Sequence, residues 1–184
     1  MLNFYVSKIN KEHLIFFDTE FDDQRLVQVA MIVFKQEKSE DNVYYYTLQG
    51  SCNLFVNREV DCYFTKYTGI TQAFLDRYGL SEQEVADKVY YFFNELGIKL
   101  DRSSMFISHG AKQDIQVLED AGIFIPHEIM CCTFKMAQRK LKRDKHLKLY
   151  ELCKEAGDYV EESHDAYCDC KASITVFQYL QNLE

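Results

Sequence analysis

The sequence predicts an α/β protein with a mixed five-stranded sheet flanked by helices. Two observations predict it. The first third is a series of apolar, aromatic and β-branched segments separated by polar turns, as in an antiparallel meander. The remainder alternates short apolar segments with stretches whose apolar residues recur at spacings of three and four, as in parallel strands covered by helices. The first three strands are therefore expected to be antiparallel and the last two parallel.

Taken in order, HLIFFDTEF (13–21) reads as the first strand and LVQVAMIVFKQ (26–36) as the second, joined as a hairpin by the polar turn at Asp22, Asp23 and Gln24. VYYYTLQGSCNLFV (43–56) is a third strand, interrupted or bulged at Gly50. In YTGITQAFLDRYG, Thr68 or Thr71 caps a short helix that Gly79 stops, and Ser81 with Glu84 forms a capping box for the helix SEQEVADKVYYFFNELG. MFISHG (105–110) is a fourth strand, followed by the helical KQDIQVLEDAG, which Gly122 and the only proline, Pro126, bring to an end. EIMCCTF supplies a fifth strand, and KMAQRKL, HLKLYELCKEAG and DAYCDCKASITVFQYL read as three further helices.

The 184 residues suit one domain, 1–184, with no linker, repeat or low-complexity tract. An apolar fraction of 47% excludes a disordered chain, and a charged fraction of 27% with no long apolar run argues against a membrane protein. The start MLNFYVSKINKEH lacks the pattern of a signal peptide, so a cytoplasmic location is expected. Seven scattered cysteines form neither a disulfide ladder nor paired C-x-x-C knuckles. They are expected to be reduced, and most of them to be small buried residues rather than a zinc site built from Cys168, Cys170 and a neighbour. A net charge of -8 argues against a protein that coats nucleic acid nonspecifically, but leaves room for a local contact surface.

The acids carry the functional argument. Asp18 and Glu20 close the first strand in FFDTEF, and alternation places both on one face with Thr19 on the other. Burying two carboxylates side by side is costly unless a cation, a positive side chain or water lies between them. Asp114 falls in the first turn of the helix after strand four, where it would also favour the helix dipole. SHDAYCDCKASITVF adds His164, Asp165 and Asp169 at the start of the last helix, with Asp165 and Asp169 one turn apart. Each piece has a bland explanation: a solvent-facing strand end, a dipole acid, an N-terminal acid cluster. The set in this order is harder to explain so.

In that order the chain resembles the 3′→5′ exonucleases called DEDDh, in the DnaQ-like branch of the ribonuclease H-like superfamily. The matching motifs are Asp18 and Glu20 in FFDTEF, Asp114 in HGAKQD, and His164 with Asp169 in H-x-x-x-x-D. LVQVAMIVF, TGIT (68–71) and HLKLYELCKEAG look like the family's intervening segments, so the resemblance spans most of the chain. Gly110 and Gln113 stand where the family more often has Asn and Phe, and Cys132 where many relatives have Asp.

The resemblance implies a ribonuclease H-like fold and hydrolysis of nucleic acid from a free 3′ end, single-stranded or frayed, releasing nucleoside monophosphates. It implies two divalent ions, Mg²⁺ or Mn²⁺, held by Asp18, Glu20, Asp114 and Asp169. Asp18 would bridge both, Glu20 and Asp169 complete one site, and Asp114 hold the other largely through water. His164 would act as general base. Carboxylates suit such hard cations, and two ions about 3.5 to 4 Å apart stabilise both the attacking and the leaving oxygen. Asp165 is assigned to capping the last helix.

For substrate, Phe21 is the candidate to stack on the terminal base, unless it merely closes the core, and Thr19, Tyr67 and Lys112 are candidates for contacts nearby. The basic run KMAQRKLKRDKHLK (135–148) is either a solvated helix face or a contact for phosphates a few nucleotides from the cut end. The motifs are shared by DNA and RNA enzymes, and a polymerase or other protein partner is compatible with so short a chain. The competing reading is a non-catalytic module that binds a nucleic-acid end or a protein with the same fold.

Overall fold

A computed structural model describes residues 3–4 as backbone and residues 9–159 and 164–183 in full. Most of the N-terminal stretch read for a leader therefore lies outside the described residues. The strands are β1 (Asn3–Phe4), β2 (His13–Asp22), β3 (Arg25–Lys38), β4 (Tyr44–Phe55), β5 (Ser104–Ser108) and β6 (Met130–Cys132). The helices are α1 (Cys62–Thr68), α2 (Gln72–Tyr78), α3 (Glu82–Glu95), α4 (Ala111–Asp120), α5 (Thr133–Leu141), α6 (Leu149–Glu155) and α7 (Ala166–Asn182). The sheet order is β1-β4-β3-β2-β5-β6. The five expected strands are present with the expected directions: β2, β3 and β4 pair antiparallel, while β5 and β6 run parallel to β2. The two-residue β1 adds an antiparallel edge that its length kept below the threshold of a sequence pattern.

The β2–β3 hairpin turns at Asp23 and Gln24, both at positive φ (48° and 62°), so its twist matches that of the strands it joins. In β4 the pairing shifts between Val33 and Phe34, which face Gly50 and Leu48, so one extra residue bulges where the glycine interrupts the run. Thr71 caps α2, and Ser81 with Glu84 closes the capping box of α3. Asp61 caps α1, a helix absent from the sequence reading. Its short DCYFTKYT carries one buried residue, Phe64, and thus little periodic signal.

Both faces of the sheet are covered. Leu14 and Phe16 of β2 pack with α5, α6 and α7, whereas Ile15 and Phe17 pack with α3 and α4. Because side chains alternate along a strand, the next positions are committed: Asp18 follows Phe16 toward α7, and Thr19 follows Phe17 toward α4. The parallel β5 ends beside β2 and delivers the start of α4 there, so three chain segments converge at one end of the sheet.

Candidate active site

At that end, Asp18, Asp169 and His164 line one cleft of about 390 Å³ together with Tyr67, His109, Gly110, Phe134 and Tyr150. Ligand atoms of Glu20, His164 and Asp169 lie within 4.8 Å of one another. Among the described residues this is the one set of three or more His, Cys, Asp or Glu so close, and no cysteine joins it. Asp114 stands on the other side of β2, 5% exposed. Its Oδ1 accepts from the Thr19 hydroxyl at 2.9 Å and its Oδ2 from the Ser108 hydroxyl.

The N-terminus of α7 is held where the acids need it. Asp165 caps the helix, accepting from the Cys168 amide at 3.0 Å, and its second oxygen accepts from Gln28 Nε2 at 2.9 Å. The Gln28 carbonyl oxygen in turn accepts from the Ala166 amide at 3.2 Å. This fully buried glutamine on β3 therefore ties the start of α7 to the sheet and fixes the turn that carries His164. One turn further on, Tyr150 of α6 donates to Asp169 Oδ1. His164 has a positive φ of 44°, uncommon for a side-chain-bearing residue, and its ring stacks on Tyr67 of α1 at a centroid distance of 3.7 Å.

Charge is the dominant physical fact of the cleft. Burial and the surrounding carboxylates Asp114, Asp169, Glu20 and Asp165 push Asp18 well above the usual carboxylate range. Burial, with Asp169 next, raises Glu20 to about 8. Burial raises Asp114 too, against the opposing hydrogen bonds from Ser108 and Thr19. Clustered oxygens that resist ionisation for want of a countercharge fit a hard divalent cation, whose charge would reverse that penalty. Glu20, Asp169 and the directly facing Asp18 have the donor chemistry for it. With both oxygens engaged by hydroxyls, Asp114 fits a role through water better than direct coordination.

The remaining expected residues are distributed differently. Thr19 is 5% exposed and supports Asp114 rather than reaching the cleft surface. Phe21 packs against the α3–α4 side of the core and lines a separate hollow with Tyr63, Phe64 and Tyr67, so it has a core role and an exposed edge at once. Tyr67 borders both that hollow and the cleft. Lys112 is exposed on the first turn of α4. Tyr150, Ser108, His109 and Gln28 were missed. His109 is clamped between Thr133 Oγ1 at 2.9 Å and the Leu147 carbonyl at 2.8 Å, and burial lowers its pKa. Only its position as the first residue of the second motif, HGAKQD, marked it.

The Exonuclease family model RNase_T matches residues 15–177. The chain belongs to this exonuclease family. No curated protein matches it by sequence. Solved structures with the same fold include cell-death related nuclease 4 (16% identity, TM-score 0.71, 92% of this chain and 63% of that one). A 3′-exonuclease described in 3′-end specific recognition of histone mRNA stem-loop has 15% identity and a TM-score of 0.71, over 96% and 85% of the two chains. Exonuclease I of E. coli, in complex with a dT13 oligonucleotide, has 15% identity and a TM-score of 0.68, over 94% and 42%. The chain thus spans 63% of the first of these relatives and less than half of exonuclease I.

No helix among the described residues is long and apolar enough to cross a membrane.

Proposed function

We propose that the chain is a single-domain, metal-dependent 3′→5′ exonuclease that releases nucleoside monophosphates from a free 3′ end of single-stranded or frayed DNA or RNA. The observation that carries this reading is the convergence of Glu20, His164 and Asp169 within 4.8 Å, next to Asp18, in a chain of the exonuclease family. The nucleic acids named with structural relatives, a histone mRNA stem-loop, a dT13 oligonucleotide and a 5′ overhanging duplex, support an accessible strand as ligand.

Asp18, Glu20, Asp114 and Asp169 would hold two Mg²⁺ or Mn²⁺ ions, which supply electrostatic stabilisation of charge on the attacking and leaving oxygens. The rest falls to the chain's own groups. His164 takes the proton from the attacking water, a role that an imidazole nitrogen can fill. Its stack on Tyr67 and the cap at Asp165 restrict where that nitrogen can point. Tyr150 orients the Asp169 carboxylate, and Thr19 with Ser108 orients that of Asp114. Phe21 and Tyr67 border the hollow beside the cleft, where a terminal base would stack.

The test is product analysis of 5′-labelled DNA and RNA strands of one sequence, incubated with protein and Mg²⁺ or Mn²⁺. The expected result is a one-nucleotide ladder with 5′-monophosphates as the released products, and the faster polymer identifies the substrate. Internal fragments would overturn the reading. Binding of strand ends without any release would replace it with an end-binding module.

A further inference from the structure

Beside the catalytic cleft lies a larger groove, about 590 Å³, within the size range of ligand sites. It is bounded by the start of α4, by β6 and by the first two turns of α5. Its walls combine apolar Met130, Cys131 and Phe134 with three cations, Lys112, Lys135 and Arg139, and none of its lining residues is an acid. In a chain of net charge -8 this is a local reversal of sign. The groove and the cleft share His109, Gly110 and Phe134, so they are continuous. Phe134 is 37% exposed for so large a side chain, and its ring meets His109 edge-on at a centroid distance of 5.8 Å, which fixes it at the junction.

A ligand that is flat and apolar in one part and anionic in another complements such walls, and a nucleotide in a chain of nucleotides is that ligand. Building on the exonuclease reading, we propose that this groove binds the strand upstream of the terminal nucleotide, stacking one base on Phe134 and pairing its flanking phosphates with Lys112, Lys135 and Arg139. Two other basic residues of 135–148 are engaged differently. Arg143 pairs with Glu155, and Lys140 donates to the Leu183 carbonyl. Only part of the basic run thus serves the strand. The arrangement separates two tasks: the acidic cleft cleaves, and a cationic groove outside it retains a polymer that the acids alone would repel.

The experiment compares wild type, Phe134→Ala and Lys135→Glu/Arg139→Glu on two substrates. One is a single-stranded 20-mer; the other is the p-nitrophenyl ester of thymidine 5′-monophosphate, which spans only the scissile nucleotide. For the double variant the loss of kcat/KM on the 20-mer is expected to exceed the loss on the ester by about tenfold or more, chiefly through KM. Its log-log salt slope should shrink by about 1.4, two phosphate contacts on a single strand. Phe134→Ala should show about a tenfold excess without a change in slope. Equal losses on both substrates, or none on the 20-mer, would overturn the groove assignment. If wild type cleaves neither substrate, the exonuclease reading fails by itself. Fluorescence anisotropy of the 20-mer with the same proteins then decides the groove, which requires at least tenfold weaker binding by the double variant.

Discussion

Two regions a few residues apart in the sheet's crowded end are built on opposite electrostatic principles. The cleft between β2 and α7 gathers carboxylates until Glu20 holds its proton to about 8. The groove between α4 and α5 gathers Lys112, Lys135 and Arg139 around apolar walls. The first arrangement is unfavourable for the folded protein without cations and is useful only for chemistry that supplies them. The second suits polyanion binding but has no carboxylate among its lining residues with which to hold a metal ion. The difference teaches that affinity and catalysis are carried by separate surfaces here, and the two should be separable by substitution.

The sharpest break is within the cleft. Asp169→Asn keeps the shape of the side chain but removes a charge that the ions need, and should lower kcat by about 10³-fold, several kcal/mol of lost stabilisation. Strand binding measured by anisotropy should change less than threefold. His164→Gln comes next, with an expected loss of roughly 10²- to 10⁴-fold in kcat, the usual contribution of a general base. A smaller effect is expected for Tyr150→Phe. It deletes one donor to a carboxylate, which is worth about 1.5 to 3 kcal/mol, so kcat should fall roughly tenfold or somewhat more while KM for the 20-mer holds.

The smallest and most diagnostic effect is on stability. Glu20 has a raised pKa in the folded state, so its contribution is fully present below the unfolded carboxylate value near 4.5 and is lost as pH rises toward 8. Asp18, raised for the same reasons, acts in the same direction. Without metal, thermal unfolding followed by circular dichroism should show Tm falling from pH 5 to pH 8. Glu20→Gln should flatten that slope, and added Mg²⁺ should restore Tm at pH 8 through binding to the folded state. A metal-free Tm that rises over this range would contradict the electrostatic description of the cleft.

How much of this was legible in the sequence follows from physical range. Strand alternation placed Asp18 and Glu20 together, and the capping rules identified Asp165 and Ser81 and narrowed the cap of α2 to Thr68 or Thr71, because these are local relations that neighbouring residues settle. The direction of Asp18 toward α7 comes from packing, which sets Leu14 and Phe16 against α5, α6 and α7 and Ile15 and Phe17 against α3 and α4. Tyr150, Ser108 and Gln28 were not visible. Each reaches an acid of another element, separated in the chain by 19, 6 and 137 residues, and a single sequence has no signal for a donor that packing alone delivers. Thr19 shows the same limit from the other side: alternation turned it away from the cleft, but only packing against α4 gave its hydroxyl Asp114 as a partner. The groove was half legible, since the basic run was plain but the apolar wall that makes it a site is assembled from β6 and both flanking helices.

The measurement that tests the central claim most directly is single-turnover cleavage of a 5′-labelled strand by wild type and Asp18→Asn, each with Mg²⁺ and with chelator. Shortening from the 3′ end by wild type with Mg²⁺ alone, with the other three conditions silent, is the result that a metal-dependent carboxylate centre predicts. Cleavage that persists in chelator or in Asp18→Asn would contradict it and place the chemistry elsewhere.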